Sequence, residues 1–297
     1  MKRYTIRSFD AQFPTDEACL EWLRQSRWPE GIFCASKKCQ RITGHYKVTG
    51  RPVYACANCG HHVSPMAGTI MEKSATPLRS WFHAMFLMAS TRCGISAKQL
   101  ERELGVTYKT AWRMFKQIRS MLTEEAVLEG SSVEVDETYV GGKDKNRHAS
   151  KRMGKSGRGA GGKTIVAGAV ERKGRVIAKV VPDVTARTLI PFVKGHILPA
   201  STVYTDELLS YRQVGNHGYQ HKRVHHALGV YVDGDAHTNT MEGFWSLVKR
   251  GIGGVNHAVS AKYLQSYLNE YAFRYNRREN EQPMFEAFLS QIVTSAR

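Results

Sequence analysis

The chain contains no apolar run approaching the roughly 18 to 20 residues of a membrane-spanning helix, so no membrane partner is expected. Its opening stretch, MKRYTIRSFDAQFP, has basic groups but no continuous apolar segment, which argues against an export signal. Acidic residues are scarce: 26 Asp+Glu stand against 43 Lys+Arg, a formal net charge of +17. Such an imbalance favours nucleic acid or another anionic surface and steers association with it. Cysteine is sparse as well, six residues in 297, four of them in two close pairs. With no export signal, that pattern favours metal over disulfides and places the chain in a reducing cytoplasm. No long internal repeat is present. What remains is ordinary for a soluble globular protein, 42% hydrophobic and 23% charged. The length allows one large core plus one or two small domains.

Residues 1–72 read as a small cysteine-nucleated module. A short helix is expected around Cys19 to Leu23, ended by Trp28 and Pro29. Cys34 and Cys39 follow, then Cys56 and Cys59, with a β-forming run, HYKVTGRPVY, between the pairs and a turn at Gly50. Two knuckles joined by a hairpin make a zinc ribbon, in which a tetrahedral Zn²⁺ staples a core too small to hold itself. His61 and His62 lie just past the last pair and could replace a thiol, though surface positions suit them better. Cys19 and Cys93 read as small apolar residues.

Residues 75–125 read as helical. Leu78, Trp81, Phe82, Met85 and Phe86 recur at helical spacing. Ser96 is placed to cap a helix carrying Leu100 and Leu104, Gly105 breaks it, and Thr107 caps a second helix with Ala111, Met114, Phe115 and Ile118 on its buried face. Two short helices, a glycine turn and a basic second helix form the helix-turn-helix pattern. It would present Tyr108, Lys109, Arg113 and Lys116 to DNA. A plain helical hairpin with a solvated face is the alternative.

Residues 131–297 read as one α/β domain, with strands at 133–140, 164–170, 176–181 and 202–205. Helices are expected at 186–197, from near Asn239, and through the tyrosine-rich stretch that follows Ser260. Residues 141–163, dense in Gly, Lys and Arg, read as a mobile loop able to track a phosphate backbone. Within that loop Gly157, Gly162, Lys163 and Thr164 match the pattern G-x4-G-K-T. A nucleotide-binding loop needs a strand leading in and a helix leading out. Here a glycine-rich loop leads in and a strand-like run leads out, so the match is rejected.

Three carboxylates stand apart. Asp136 closes the β-rich run SVEVD, Asp206 closes STVYTD, and Glu242 sits at the start of a helix. Oxygen ligands from two strands and a helix suit Mg²⁺ or Mn²⁺. Lys249, two helical turns after Glu242, shares its face. Glu137 and Glu207 follow their aspartates directly and are expected to point to the other face of a strand.

The stretches VDETYVGG, VYTDE, HTNTMEGFWSLVKRGIGGV and YNRREN, taken with the cysteine pairs, resemble the bacterial insertion-sequence transposases of the DDE superfamily that carry an N-terminal zinc ribbon. The resemblance covers almost the whole chain. It implies an RNase H-like catalytic domain, a mixed sheet flanked by helices, preceded by the ribbon and the helix-turn-helix. It further implies two-metal phosphoryl transfer, with Asp136 bridging two Mg²⁺ or Mn²⁺ ions and Asp206 and Glu242 each holding one. Asn239, three positions before Glu242, is the alternative third ligand. The expected reaction is 3′-end cleavage at the element's ends, then strand transfer. Lys249 and Arg250 would contact a phosphate near the cut. The partners would be double-stranded DNA, as terminal inverted repeats and as target, with the protein a homodimer or larger on DNA. A catalytically inactive DNA-binding regulator, or an RNase H-like nuclease, are the competing expectations.

Overall fold

The computed structural model of the chain describes residues 4–91, 93–123, 127–142, 162–224 and 237–295. Most of the basic loop expected at 141–163 lies outside the described residues. The chain divides into two compact units, Met1–Met121 with Asn280–Arg297, and Leu122–Glu279. Among the described residues no helix is long and apolar enough to cross a membrane.

The first unit opens with α1 (Ile6–Gln12) and α2 (Asp16–Arg27), whose N-termini are capped by the hydroxyls of Thr5 and Thr15. The cysteine module follows as five short strands: β1 (Phe33–Cys34), β2 (Arg41–Ile42), β3 (His45–Lys47), β4 (Tyr54–Cys56) and β5 (His62–Val63). β3 and β4 form the expected hairpin, with Gly50 at φ 70° in the turn between them. Helix α3 (Leu78–Ser90) buries Trp81, Phe82 and Met85. Helices α4 (Ala97–Leu104) and α5 (Tyr108–Ser120) are joined through Gly105 in the left-handed conformation, and the Ser96 and Thr107 hydroxyls cap them.

A last helix, Met284–Thr294, belongs to this unit and not to the one that precedes it in sequence. The expected domain 131–297 therefore differs from the observed unit at its end. The cause is aromatic packing: Phe285 sits 5.8 Å from Phe9, 6.0 Å from Phe13 and 5.7 Å from Phe86, ring centre to ring centre. Phe288 and Ile292 are fully buried on the same helix.

The second unit is built on a five-stranded mixed sheet. Strands β6 (Ser132–Val140), β7 (Thr164–Glu171) and β8 (Val176–Val181) form an antiparallel meander. The chain then crosses through α6 (Ala186–His196) to β9 (Thr202–Thr205), which pairs parallel with β6, and β10 (Gln220–Arg223) extends the sheet parallel to β9. The strand order is β10-β9-β6-β7-β8. Helices α7 (Asn239–Gly251) and α8 (Ala261–Asn276) complete the unit. The pleat sorts the side chains. Val133, Val135, Ala167 and Ala169 pack with Leu189 and Val193 of α6, whereas Val166, Val170, Val176 and Ala178 pack with α7 and α8. A mixed sheet covered by helices on both faces, in this order, is consistent with the expected RNase H-like domain.

Candidate active site

β6 carries Asp136 toward α7. Its ladder partner on β7 is Gly168, the one residue type that leaves room for a large ring on that face. The indole of Trp245 fills the space and donates from Nε1 to Asp136 Oδ2 at 3.0 Å. Asp206 lies just beyond the last residue of β9, and its Oδ1 accepts the Leu208 backbone N–H at 3.0 Å. Oxygens of Asp136, Glu137 and Asp206 all lie within 4.8 Å of one another.

Glu137, set aside on strand parity, is thus part of the cluster. Its side chain does leave β6 on the α6 side, where Tyr211 donates a hydrogen bond to Oε2 at 3.0 Å. The carboxylate nevertheless reaches the other two. Asp136 and Glu137 stand in the middle of β6, not at its end, and the DE pair together with an aspartate just past the end of the neighbouring β9 was the signal available in the sequence.

Burial and mutual repulsion dominate the electrostatics. Loss of hydration, then the charge of Asp206, pushes the Asp136 carboxyl up to about 7. Burial, then the charges of Asp206 and Asp136, does the same for Glu137, also to about 7. Burial raises the Tyr211 phenol well above its ordinary value, so it remains a donor to Glu137. Carboxylates held this close, with hard oxygen donors converging, fit a divalent cation such as Mg²⁺ or Mn²⁺.

Glu242, in the first turn of α7, borders a cleft of about 450 Å³ together with Asp136, Glu137, Thr138, Trp245, Ser246, Lys249 and Arg250. Thr238 Oγ1 donates to Glu242 Oε1 at 3.4 Å. Asn239 is exposed at the start of the same helix and is not among the residues bordering the cleft. Lys249 and Arg250 are exposed in the last turn of α7, at the opposite end of the cleft lining from Glu242 in sequence. On α5, Tyr108, Lys109, Arg113 and Lys116 are all exposed.

The thiols of Cys34, Cys39, Cys56 and Cys59 converge within 4.8 Å. The Cys34–Cys59 and Cys39–Cys56 sulfur separations are 3.6 and 3.9 Å. A tetrahedron of thiolates around Zn²⁺ has edges of about 3.8 Å, from Zn–S bonds of about 2.3 Å. The Thr43 hydroxyl, 3.2 Å from Cys56 Sγ, draws that thiol down to about 5, toward the thiolate that zinc binds. His61 contributes its backbone N–H to Cys59, lowering that thiol as well, and its ring is not needed as a ligand. The set supports a structural zinc.

Known proteins place this architecture. Residues 14–62 match the transposase zinc-ribbon domain, and residues 127–276 match the ISXO2-like transposase domain. A protein of Halobacterium salinarum, described as an uncharacterized protein in transposable element ISH50, is 31% identical over 298 residues, spanning 95% of this chain and 98% of its own. An uncharacterized transposase-like protein of Haemophilus influenzae is 29% identical over 121 residues, spanning 41% of this chain and 95% of its own. With both the ribbon and the carboxylate-bearing sheet inside the matched regions, the chain belongs to the ISXO2-like transposase family.

Proposed function

We propose that this transposase cuts DNA at the 3′ ends of its element and joins them to target DNA by metal-dependent phosphoryl transfer. The observation that carries the reading is one cleft bordered by Asp136, Glu137 and Glu242 together with Lys249 and Arg250, with Asp206 against Asp136. Asp136, Asp206 and Glu242 would hold Mg²⁺ or Mn²⁺, and Glu137 lies close enough to Asp136 and Asp206 to share the load. Bound there, the ions would activate a water or a 3′-hydroxyl and neutralise the leaving oxygen. The chain's own groups do the positioning. Trp245 fixes the Asp136 carboxylate through its indole N–H, and Tyr211 fixes Glu137. Lys249 and Arg250 attract and orient the phosphodiester. Glu242 is favoured over Asn239 as the third ligand because it borders the cleft.

Helices α4 and α5 act in this reading as a helix-turn-helix, with Tyr108, Lys109, Arg113 and Lys116 facing duplex DNA. Two protomers would act together, since two element ends must be processed.

The test incubates purified protein with Mg²⁺ or Mn²⁺, DNA bearing the inverted repeats that flank its own gene, and a second duplex. End cleavage with joining supports the reading. Specific binding without cleavage makes the chain an inactive regulator, and cleavage of RNA–DNA hybrids without joining makes it a nuclease.

A further inference from the structure

Two residues before Asp136, on the same face of β6, stands a second carboxylate. Glu134 has no solvent exposure at all. Burying a charged carboxylate is costly unless it is paired and fully hydrogen-bonded. Here it is. Glu134 Oε2 accepts the backbone N–H groups of Thr240 at 2.8 Å and Met241 at 3.0 Å, the first turn of α7. Oε1 accepts the Thr240 hydroxyl at 2.9 Å and Arg172 Nε at 3.0 Å. His237 Nδ1 lies 3.1 Å from the same oxygen.

These contacts bear on α7 in a particular way. The first N–H groups of a helix have no partner within it. The N-cap residue of α7, Thr238, gives no side-chain cap bond. The cap comes from a neighbouring strand, and its negative charge meets the positive end of the helix dipole. The two clamped positions immediately precede Glu242, and the same helix carries Trp245, the donor to Asp136.

The third segment of the site is gripped as well. Tyr204 is the ladder partner of Glu134 on β9 and stands two residues before Asp206. The Arg172 guanidinium, paired to Glu134, lies 3.9 Å from the centre of the Tyr204 ring and donates from Nη2 to the His237 carbonyl at 3.0 Å. One buried layer therefore touches the three segments that present Asp136, Asp206 and Glu242, one or two residues upstream of each.

We infer that Glu134 is a positioning residue of the acidic site, a cross-sheet cap that sets where α7 holds Glu242 and Trp245 against Asp136. It is not a metal ligand, since both its oxygens are occupied and buried. The inference rests on the metal-site reading above. Its content is that metal affinity, beyond fold stability, depends on this carboxylate.

The test uses Tb³⁺ alone as the probe on the full zinc-loaded chain. Trp245 adjoins the site and can sensitise Tb³⁺ emission, and Asp136→Asn defines the emission that comes from it. Glu134→Gln keeps the volume but turns an amide N–H toward donors, so one side of the clamp opens. Measured per folded protein, Glu134→Gln is expected to raise the half-saturating Tb³⁺ concentration by about tenfold, the lower end of what outer-shell substitutions cost, with DNA affinity within about twofold. Cleavage should recover as Mn²⁺ is raised, a shift in metal requirement with the limiting rate retained. A shift of less than about threefold on that same scale, or one that merely follows the unfolded fraction, overturns the inference. If Glu134→Gln does not fold, Arg172→Lys decides on the same terms, because it weakens the anchor while keeping a cation beside the carboxylate. Absence of Asp136-dependent emission in the unsubstituted protein would instead sink the metal-site reading itself.

Discussion

Gly168 and Trp245 are in contact with no room between them: a Cβ built on Gly168 would lie 2.5 Å from Trp245 Cζ2, closer than carbon atoms can pack. Since Gly168 is opposite Asp136 in the ladder and Trp245 is bonded to Asp136, one methyl group there acts on the carboxylate through the ring. Gly168→Ala is expected to lower stability by about 1–3 kcal/mol, the usual cost of overpacking. It should also depress single-turnover cleavage more than Trp245→Phe, which deletes the hydrogen bond and part of the ring but introduces no clash. Equal or smaller loss in Gly168→Ala, read from end-labelled DNA, would contradict this coupling.

Asp136→Asn preserves the indole bond and the shape of the site but removes a carboxylate from the proposed metal site. Strand cleavage should vanish while binding to the terminal repeats persists. Glu242→Gln should cost cleavage about 100-fold, on the scale of lost metal stabilisation. Asn239→Ala, at an exposed position, should leave it nearly unchanged. The reverse ranking in a Mn²⁺ cleavage assay would hand the third position to Asn239.

Without metal, the site should work against folding at neutral pH. Asp136 and Glu137 each titrate near 7 in the folded chain, above their ordinary range. Between about pH 4 and pH 7 the folded form keeps protons that the unfolded form has released, so stability falls as pH rises through that window and levels off above it. Metal-free Asp136→Asn should accordingly melt above the unsubstituted protein at pH 8, and the gap should close toward pH 4. Added Mg²⁺ at pH 8 should raise the melting temperature of the unsubstituted chain more than that of the variant. A gap of constant size at both pH values, measured by thermal melting with EDTA-washed protein and the ribbon zinc restored, would show that burial and repulsion do not raise these carboxyls.

Removing zinc should unfold the ribbon and leave the sheet of the second unit intact. The four thiols are within tetrahedral reach of one ion, and the ribbon strands are only two or three residues long. Chelation, or Cys56→Ser, is expected to abolish chemical-shift dispersion for residues 33–63 alone. Full dispersion after complete zinc loss would mean that the module holds itself.

Each exposed cation of α5 that meets a phosphate should contribute about one unit to the slope of log affinity against log salt. Lys109→Ala or Lys116→Ala should flatten that slope and weaken binding to all sequences alike. Unaltered slopes would place DNA elsewhere and leave α4 and α5 a plain helical hairpin.

Much of this organisation was legible in the sequence where the signal is local. Ser96, Gly105 and Thr107 mark the ends of α4 and α5 because caps and left-handed turns demand particular side chains. β6 to β9 announced themselves by β-branched runs. β10 did not: Gln220–Arg223 is polar throughout, as an edge strand can be, and carries no two-residue period. Glu137 was missed because strand parity sends it away from Asp136. Asp206 lies beyond the last paired residue of β9, where parity no longer decides which face a carboxylate serves. Glu134 read as one more charge in a strand, because what makes it matter is a helix more than a hundred residues downstream.

Phe285, Phe288 and Ile292 close a core begun by Phe9 and Phe13. The first unit is therefore completed only by a helix that follows the whole second unit in sequence. Through the synthesis of the whole sheet-bearing unit, Phe9, Phe13 and Phe86 lack the ring that later fills the space between them. A chain stopped before Asn280 would retain every carboxylate discussed above and the four ribbon thiols, yet expose that aromatic surface to chaperones and proteases. Met284–Thr294 thus completes the first unit: without it that core lacks the rings that fill it, however intact the carboxylate cluster.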